Sequence, residues 1–205
     1  MVKVEYEDYS DKYVPLSFEE IESPKHIRYV QGYVEILAKH YAKLYPKARM
    51  TQKKIQYIVR AVEFHDIGKL AVPESVLLNS GRLAEWEMDM LKMHTIKGCE
   101  MVKLLGKYQE EEYNRICQNI CLYHHERWDG KGYPYGLKGE RIPLEARLVA
   151  LVDLYDTLIH GYNGGKLFSK QEAYHMIMRG DFGEWSPKMK ESFTAAKEDM
   201  EAFEQ

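Results

Sequence analysis

Apolar residues recur every three or four positions along most of this chain, and no stretch alternates apolar and polar residues between hairpin-forming turns. That periodicity predicts an all-α fold. A first long helix is expected to start near Ser23-Pro24, with proline in its first turn, and to end before Pro46, its apolar face carrying Tyr29, Tyr33, Ile36, Leu37 and Leu44. Thr51 reads as the N-cap of a second helix, with Ile55, Ile58, Val59 and Val62, that runs toward His65. A short turn after Pro73 leads to a helical stretch over residues 84–105 that holds Trp86, Met90, His94 and Met101, with a break or close packing expected at Gly98. A further helix over residues 110–125 precedes a glycine- and proline-rich loop, residues 128–143. Pro143 opens the next helix, whose core stripe is Leu148, Leu151, Val152 and Tyr155, and two shorter helices from about Ser169 and Ser186 complete the pattern.

The 205 residues, 45% hydrophobic and 30% charged, suffice for one domain with a sizeable core. We divide the chain into an acidic N-terminal segment, residues 1–21, and a domain over residues 22–205. A net charge of -3 gives no general attraction to a nucleic-acid polymer or an anionic membrane, so phosphate binding must come from a local cluster or from metal. The acidic start lacks an apolar signal core and no apolar run is long enough to span a bilayer, so a cytoplasmic location is expected. Cys99, Cys117 and Cys121 form no CxxC pair and are read as core thiols, Cys117 and Cys121 sharing one helix face.

The chemistry concentrates in histidine and aspartate. His65-Asp66 stands in the run H-D-I-G-K, and imidazole and carboxylate are good ligands for divalent first-row metals, a carboxylate having two oxygens with which to bridge two ions. Adjacent residues reach one centre only where a helix ends or bends, which Gly68 permits. His26, His94, the pair His124-His125 and Asp153 fall on other expected helices, so several helices each offer a nitrogen or oxygen, the usual way a bundle builds a polynuclear site. His40, His160 and His175 lie outside this set and are read as ordinary core or surface residues.

The order H…HD…D resembles the HD superfamily, and the run H-H-E-R-W-D-G-K-G-Y-P over residues 124–134, with G-L-K-G-E-R-I-P-L and A-R-L-V-A-L-V-D-L-Y-D after it, resembles an HD-GYP domain from about Glu22 to the C-terminal region. The resemblance implies a single HD-type helical bundle with two or three divalent ions, iron or manganese, in its core. It implies hydrolysis of cyclic-di-GMP to linear pGpG, and in some members onward to GMP. Carried over by position, His26, His65, Asp66 and Asp153 match the basic ligand set; His94, His124 and His125 match the histidines of a second metal, with Asp66 as the bridge. Two ions lower the pKa of a bridging water and polarise the phosphoryl oxygen. Lys69 matches the lysine beside the scissile phosphate. Glu22 matches the glutamate of members with a third metal, although Pro24 leaves it outside the helix, where a solvated carboxylate is the other reading. Asp156, one turn past Asp153, either orients a ligand or caps local polar groups. Gly130, Gly132, Tyr133 and Pro134 are expected to shape the substrate groove, and by resemblance their loop is also a docking surface for a diguanylate cyclase, a GGDEF protein.

The chain departs from the family after Asp156. Where many members have R-x-Y-K, whose cations bind the dinucleotide, it has Tyr162, Asn163, Gly164 and Gly165, with Lys166 one position late. Two lost charge-assisted contacts, about 1.5–3 kcal/mol each, weaken binding by orders of magnitude unless other groups replace them. Two other functions therefore stand beside the first: hydrolysis of another cyclic dinucleotide or nucleotide, and a catalytically weak sensing or interaction module.

Overall fold

The computed structural model describes residues 22–79, 81–106, 110–161 and 167–203. The acidic segment, residues 1–21, and the departure from R-x-Y-K with Lys166 lie outside the described residues. Among those described the fold is all-α, with nine α-helices: α1 (Pro24–Leu44), α2 (Gln52–Ala61), α3 (Glu74–Leu77), α4 (Glu85–Lys92), α5 (His94–Leu105), α6 (Glu111–Tyr123), α7 (Leu144–His160), α8 (Lys170–Arg179) and α9 (Pro187–Ala202).

Helix ends follow the expected cap chemistry. Thr51 Oγ1 accepts the Lys54 N–H, Ser169 Oγ the Glu172 N–H and Ser186 Oγ the Met189 N–H, each satisfying a first-turn donor worth about 1 kcal/mol. Helices α7 and α8 stop at Gly161 and Gly180, both left-handed, a conformation glycine adopts without a Cβ penalty.

Helix α1 is the spine, packed against α2, α7 and α9. Its buried residues His26, Val30, Tyr33, Val34, Leu37, Ala38 and Tyr41 follow the helical period, so His26 is the polar end of an otherwise apolar stripe. Ile58 of α2, Ile116 and Ile120 of α6, Leu148, Leu151, Val152 and Tyr155 of α7 and Phe193 of α9 close the core around it. Each such side chain contributes about 1.5–3 kcal/mol by leaving water. Cys117 and Cys121 are buried on one face of α6, as their spacing predicts. Leu44, expected on the apolar face of α1, is exposed because the helix ends there.

The break expected near Gly98 falls instead at Met93, between α4 and α5. Trp86, Met88 and Met90 of α4 are exposed, whereas α5 changes direction and buries His94. Gly98 provides the close packing. A Cβ on Gly68 would lie 1.9 Å from the His94 carbonyl oxygen and 2.4 Å from the Gly98 nitrogen, so the H-D-I-G-K turn sits backbone to backbone on α5. Contact of this kind requires glycine.

Candidate metal centre

Three helix ends, one turn and the middle of one helix converge. His26 comes from the first turn of α1, His65 and Asp66 from the turn after α2, His94 from the start of α5, His124 and His125 from the end of α6, and Asp153 from the middle of α7. The Cys121 thiol donates to the Phe64 carbonyl at 3.0 Å, tying α6 to the turn that presents His65.

Two groups of ligating atoms form. Asp66, His94, His124 and His125 make one, and Glu22, His26 and His65 the other, the atoms of each lying within 4.8 Å of one another. Asp66 joins them: Oδ1 is 3.1 Å from His94 Nε2 and 3.6 Å from His124 Nε2, while Oδ2 is 3.3 Å from His65 Nε2. Asp153 Oδ1 stands 3.1 Å from His26 Nε2 and 4.0 Å from His65 Nε2.

Three rings are oriented from behind. Nδ1 of His65 donates to the Val62 carbonyl at 2.8 Å, Nδ1 of His94 to that of Leu91 at 2.6 Å, and Nδ1 of His124 to that of Ile120 at 2.8 Å. That places a proton on Nδ1 and aims Nε2 inward, where it offers a lone pair to a metal once any second proton is displaced, the usual support of a metal-ligating histidine. His26 is held the same way by a carboxylate, its Nδ1 donating to Asp156 Oδ2 at 2.6 Å, while Asp156 Oδ1 accepts from His160 Nδ1 at 2.7 Å. Asp156 is fully buried and orients a site histidine, one of the two roles open for it from sequence. His160, read as ordinary, belongs to this support; its position one turn after Asp156 was the available signal.

The orphaned atoms test whether metal fits. Nε2 of His65, His94 and His124 and Oδ1 of Asp66 are buried without a hydrogen-bond partner, close to one another but not in hydrogen-bond geometry. An unsatisfied buried polar atom costs about 1–3 kcal/mol, and four at one point form a donor set suited to divalent cations.

Without metal, the cluster holds protons unevenly. Burial disfavours charge on His26, but Asp153 and Asp156 outweigh it and push its pKa up to about 10. Burial likewise opposes charge on His65, and Asp66 raises its pKa to about 9. Burial lowers the pKa of His124 and, with the charge of His124 beside it, that of His125. Burial would raise the Asp66 carboxyl, yet His65 and Lys69 hold it well below the usual carboxylate range.

Lys69 points into the site, its Nζ 2.7 Å from Asp66 Oδ2 and 2.9 Å from Glu22 Oε2. Glu22 is outside α1, as Pro24 dictates, but it is not a solvated acid: it is buried, and Oε1 lies 3.5 Å from His26 Nε2. Gly130 turns the loop after α6 at φ +82°, and Gly132 packs where a Cβ would lie 2.4 Å from both the Arg127 nitrogen and the His125 oxygen. The loop then carries Tyr133 back onto His125, ring on ring at 4.7 Å and 23°, and Pro134 follows on a cis peptide bond. Sequence reasoning missed Glu126, buried beneath this loop.

The HD domain family matches residues 22–181. A cyclic di-GMP phosphodiesterase of Vibrio cholerae is 35% identical over 185 residues, 89% of this chain and 37% of that protein. A 3'3'-cGAMP-specific phosphodiesterase 2 from the same organism is 31% identical over 137 residues, 67% of this chain and 24% of that protein. The chain thus spans well under half the length of these relatives. Bd1817, a HDG"Y"P protein from Bdellovibrio bacteriovorus, shares the fold, with a TM-score of 0.58 and 21% identity over 87% of this chain and 57% of its own. With the HD pair in the centre of the site and the residue 124–134 run folded against it, the chain belongs to the HD domain family, among its HD-GYP members.

Proposed function

We propose that this chain is a metal-dependent phosphodiesterase that hydrolyses cyclic-di-GMP to linear pGpG, with two divalent ions, iron or manganese, at the cluster around Asp66. The observation that carries the reading is Asp66 itself, one oxygen toward His94 and His124 and the other toward His65, with the facing Nε2 atoms unsatisfied. In this reading residues 22–205 supply the catalytic domain, His26, His65, Asp66 and Asp153 hold one ion, and Asp66, His94, His124 and His125 hold the other. Glu22 has the position for a further ligand, 3.5 Å from His26 Nε2.

The chemistry that divalent ions supply at such a site is activation of water near neutral pH and polarisation of a phosphoryl oxygen. The protein's part is positioning and charge. Backbone carbonyls and Asp156 hold four imidazoles at fixed angles. Lys69 carries a positive charge at the edge of the cluster: burial opposes that charge, but Asp66 and Glu22 push its pKa above that of an ordinary lysine. A phosphate approaching Asp66 meets that ammonium, whose charge offsets what builds up on the phosphoryl oxygens. Tyr133 covers one face of His125. The reading carries with it the expected cytoplasmic setting, and the loop with exposed Tyr135 is the surface on which a diguanylate cyclase would dock.

A second substrate reading, another cyclic dinucleotide, is favoured by the 3'3'-cGAMP-specific relative and by the missing R-x-Y-K cations. Manganese-loaded protein incubated with cyclic-di-GMP, 3'3'-cGAMP and cyclic-di-AMP, with products separated by chromatography, distinguishes them. Linear pGpG as the main product supports the proposal. Turnover of 3'3'-cGAMP alone replaces the substrate, and full metal loading with no turnover replaces both enzymatic readings with an interaction module.

A further inference from the structure

We propose that Glu126 is a positioning residue for His125, acting through the loop that carries Tyr133. Glu126 follows the two histidines directly and is only 4% exposed. Its carboxylate is satisfied by backbone: Oε1 accepts the Tyr135 N–H and Oε2 the Leu137 N–H, each at 2.8 Å. Gly136 between them is left-handed at φ +64°, which lets alternate amides converge on one carboxylate. The Tyr133 N–H donates to the His125 carbonyl at 3.2 Å, so the loop is stitched to residues 125 and 126 at three points.

The consequence falls on His125. His65, His94 and His124 are each oriented by an Nδ1 bond to a backbone carbonyl. Among the described residues no such bond reaches a ring nitrogen of His125. Rings hold it instead: Tyr133 stacked at 4.7 Å, His124 at 4.1 Å and His94 edge-on at 5.1 Å. Of these, Tyr133 alone comes from the loop, and its place is set by the Glu126 carboxylate. Glutamine cannot replace it, since an amide offers one oxygen and would turn its NH2 toward the second N–H.

The inference rests on reading His125 as a metal ligand, and the test separates the two. Metal-stripped full chain is titrated calorimetrically with Mn2+ alone. Glu126→Gln is expected to weaken the ion that uses His125 about ten- to hundredfold, while the ion held by His26 and His65 keeps wild-type affinity. Tyr133→Ala, which removes the ring and leaves Glu126 in place, should do the same, and Tyr133→Phe should bind as wild type. His125→Ala is the control and should lose that ion. Wild-type affinity for both ions in Glu126→Gln and Tyr133→Ala, against loss in His125→Ala, overturns the positioning role. Wild-type binding in His125→Ala overturns the metal reading on which it rests. Circular dichroism checks folding, and if Glu126→Gln does not fold, Glu126→Asp, whose shorter side chain draws both oxygens back from the Tyr135 and Leu137 N–H groups, takes its place with the same expected and contrary results.

Discussion

Oδ1 of Asp66 lies 3.1 Å from Nε2 of His94, although the two residues come from elements joined mainly by the contact of Gly68 with α5. The other oxygen faces its chain neighbour His65, so one carboxylate lies between the His65 imidazole and those of His94 and His124.

Because that approach depends on bare backbone at position 68, Gly68→Ala forces the turn and α5 apart. Overpacking of this kind costs about 1–3 kcal/mol. At about 2–4 °C per kcal/mol for a domain of this size, a thermal melt should show a clear drop in Tm. The metal shared by Asp66 and His94 should weaken with it; an unchanged melt and unchanged metal affinity would refute the close-contact account.

Asp156 holds Nδ1 of His26, so Asp156→Asn should lower affinity for the ion on that side about ten- to hundredfold while leaving the His94 and His124 side intact. Competitive titration against a chelator reads this directly. Equal weakening of both ions would mean a general loss of packing and not a local loss of orientation.

Lys69→Ala should leave metal content near wild type and reduce kcat about a hundred- to a thousandfold, since its charge is assigned to the phosphoryl oxygens. Metal analysis beside steady-state kinetics separates charge from assembly. A variant with wild-type kcat removes Lys69 from the reaction.

The proton inventory predicts a pH window. His26 has a pKa near 10 and His65 near 9 in the metal-free fold, against 6.5 for a free imidazole. Raised values mean that their stabilising contribution is complete below about pH 6.5 and is lost as pH rises through 9 and 10. Chelated protein should therefore melt at falling temperatures between pH 7 and 10. Metal binding must displace these protons, so metal affinity should rise over the same interval. A metal-free Tm that climbs toward pH 10 would contradict the assignment.

Much of this cluster was legible in the sequence, because a bundle gathers one or two polar side chains from each of several helices, and His26, His65, Asp66, His94, His124, His125 and Asp153 stand out against the apolar period. The supports were less legible. Asp156 and His26 are 130 residues apart, and nothing local announces that a carboxylate one turn beyond Asp153 turns back to α1. Nothing in the sequence marks Glu126, because its partners are backbone amides, which every residue has. Pro24 correctly set the start of α1 but said nothing of how the preceding residue folds inward, which is what buries Glu22. Gly98 marked close packing, while the bend moved to Met93, where α4 leaves the core and α5 enters it.

The most direct measurement is the metal content and product of wild-type protein beside Asp66→Ala, both reconstituted with Mn2+ and supplied with cyclic-di-GMP. The account predicts two ions per wild-type chain with linear pGpG formed, and loss of both in Asp66→Ala. An Asp66→Ala protein that still holds two ions and still forms pGpG would contradict it.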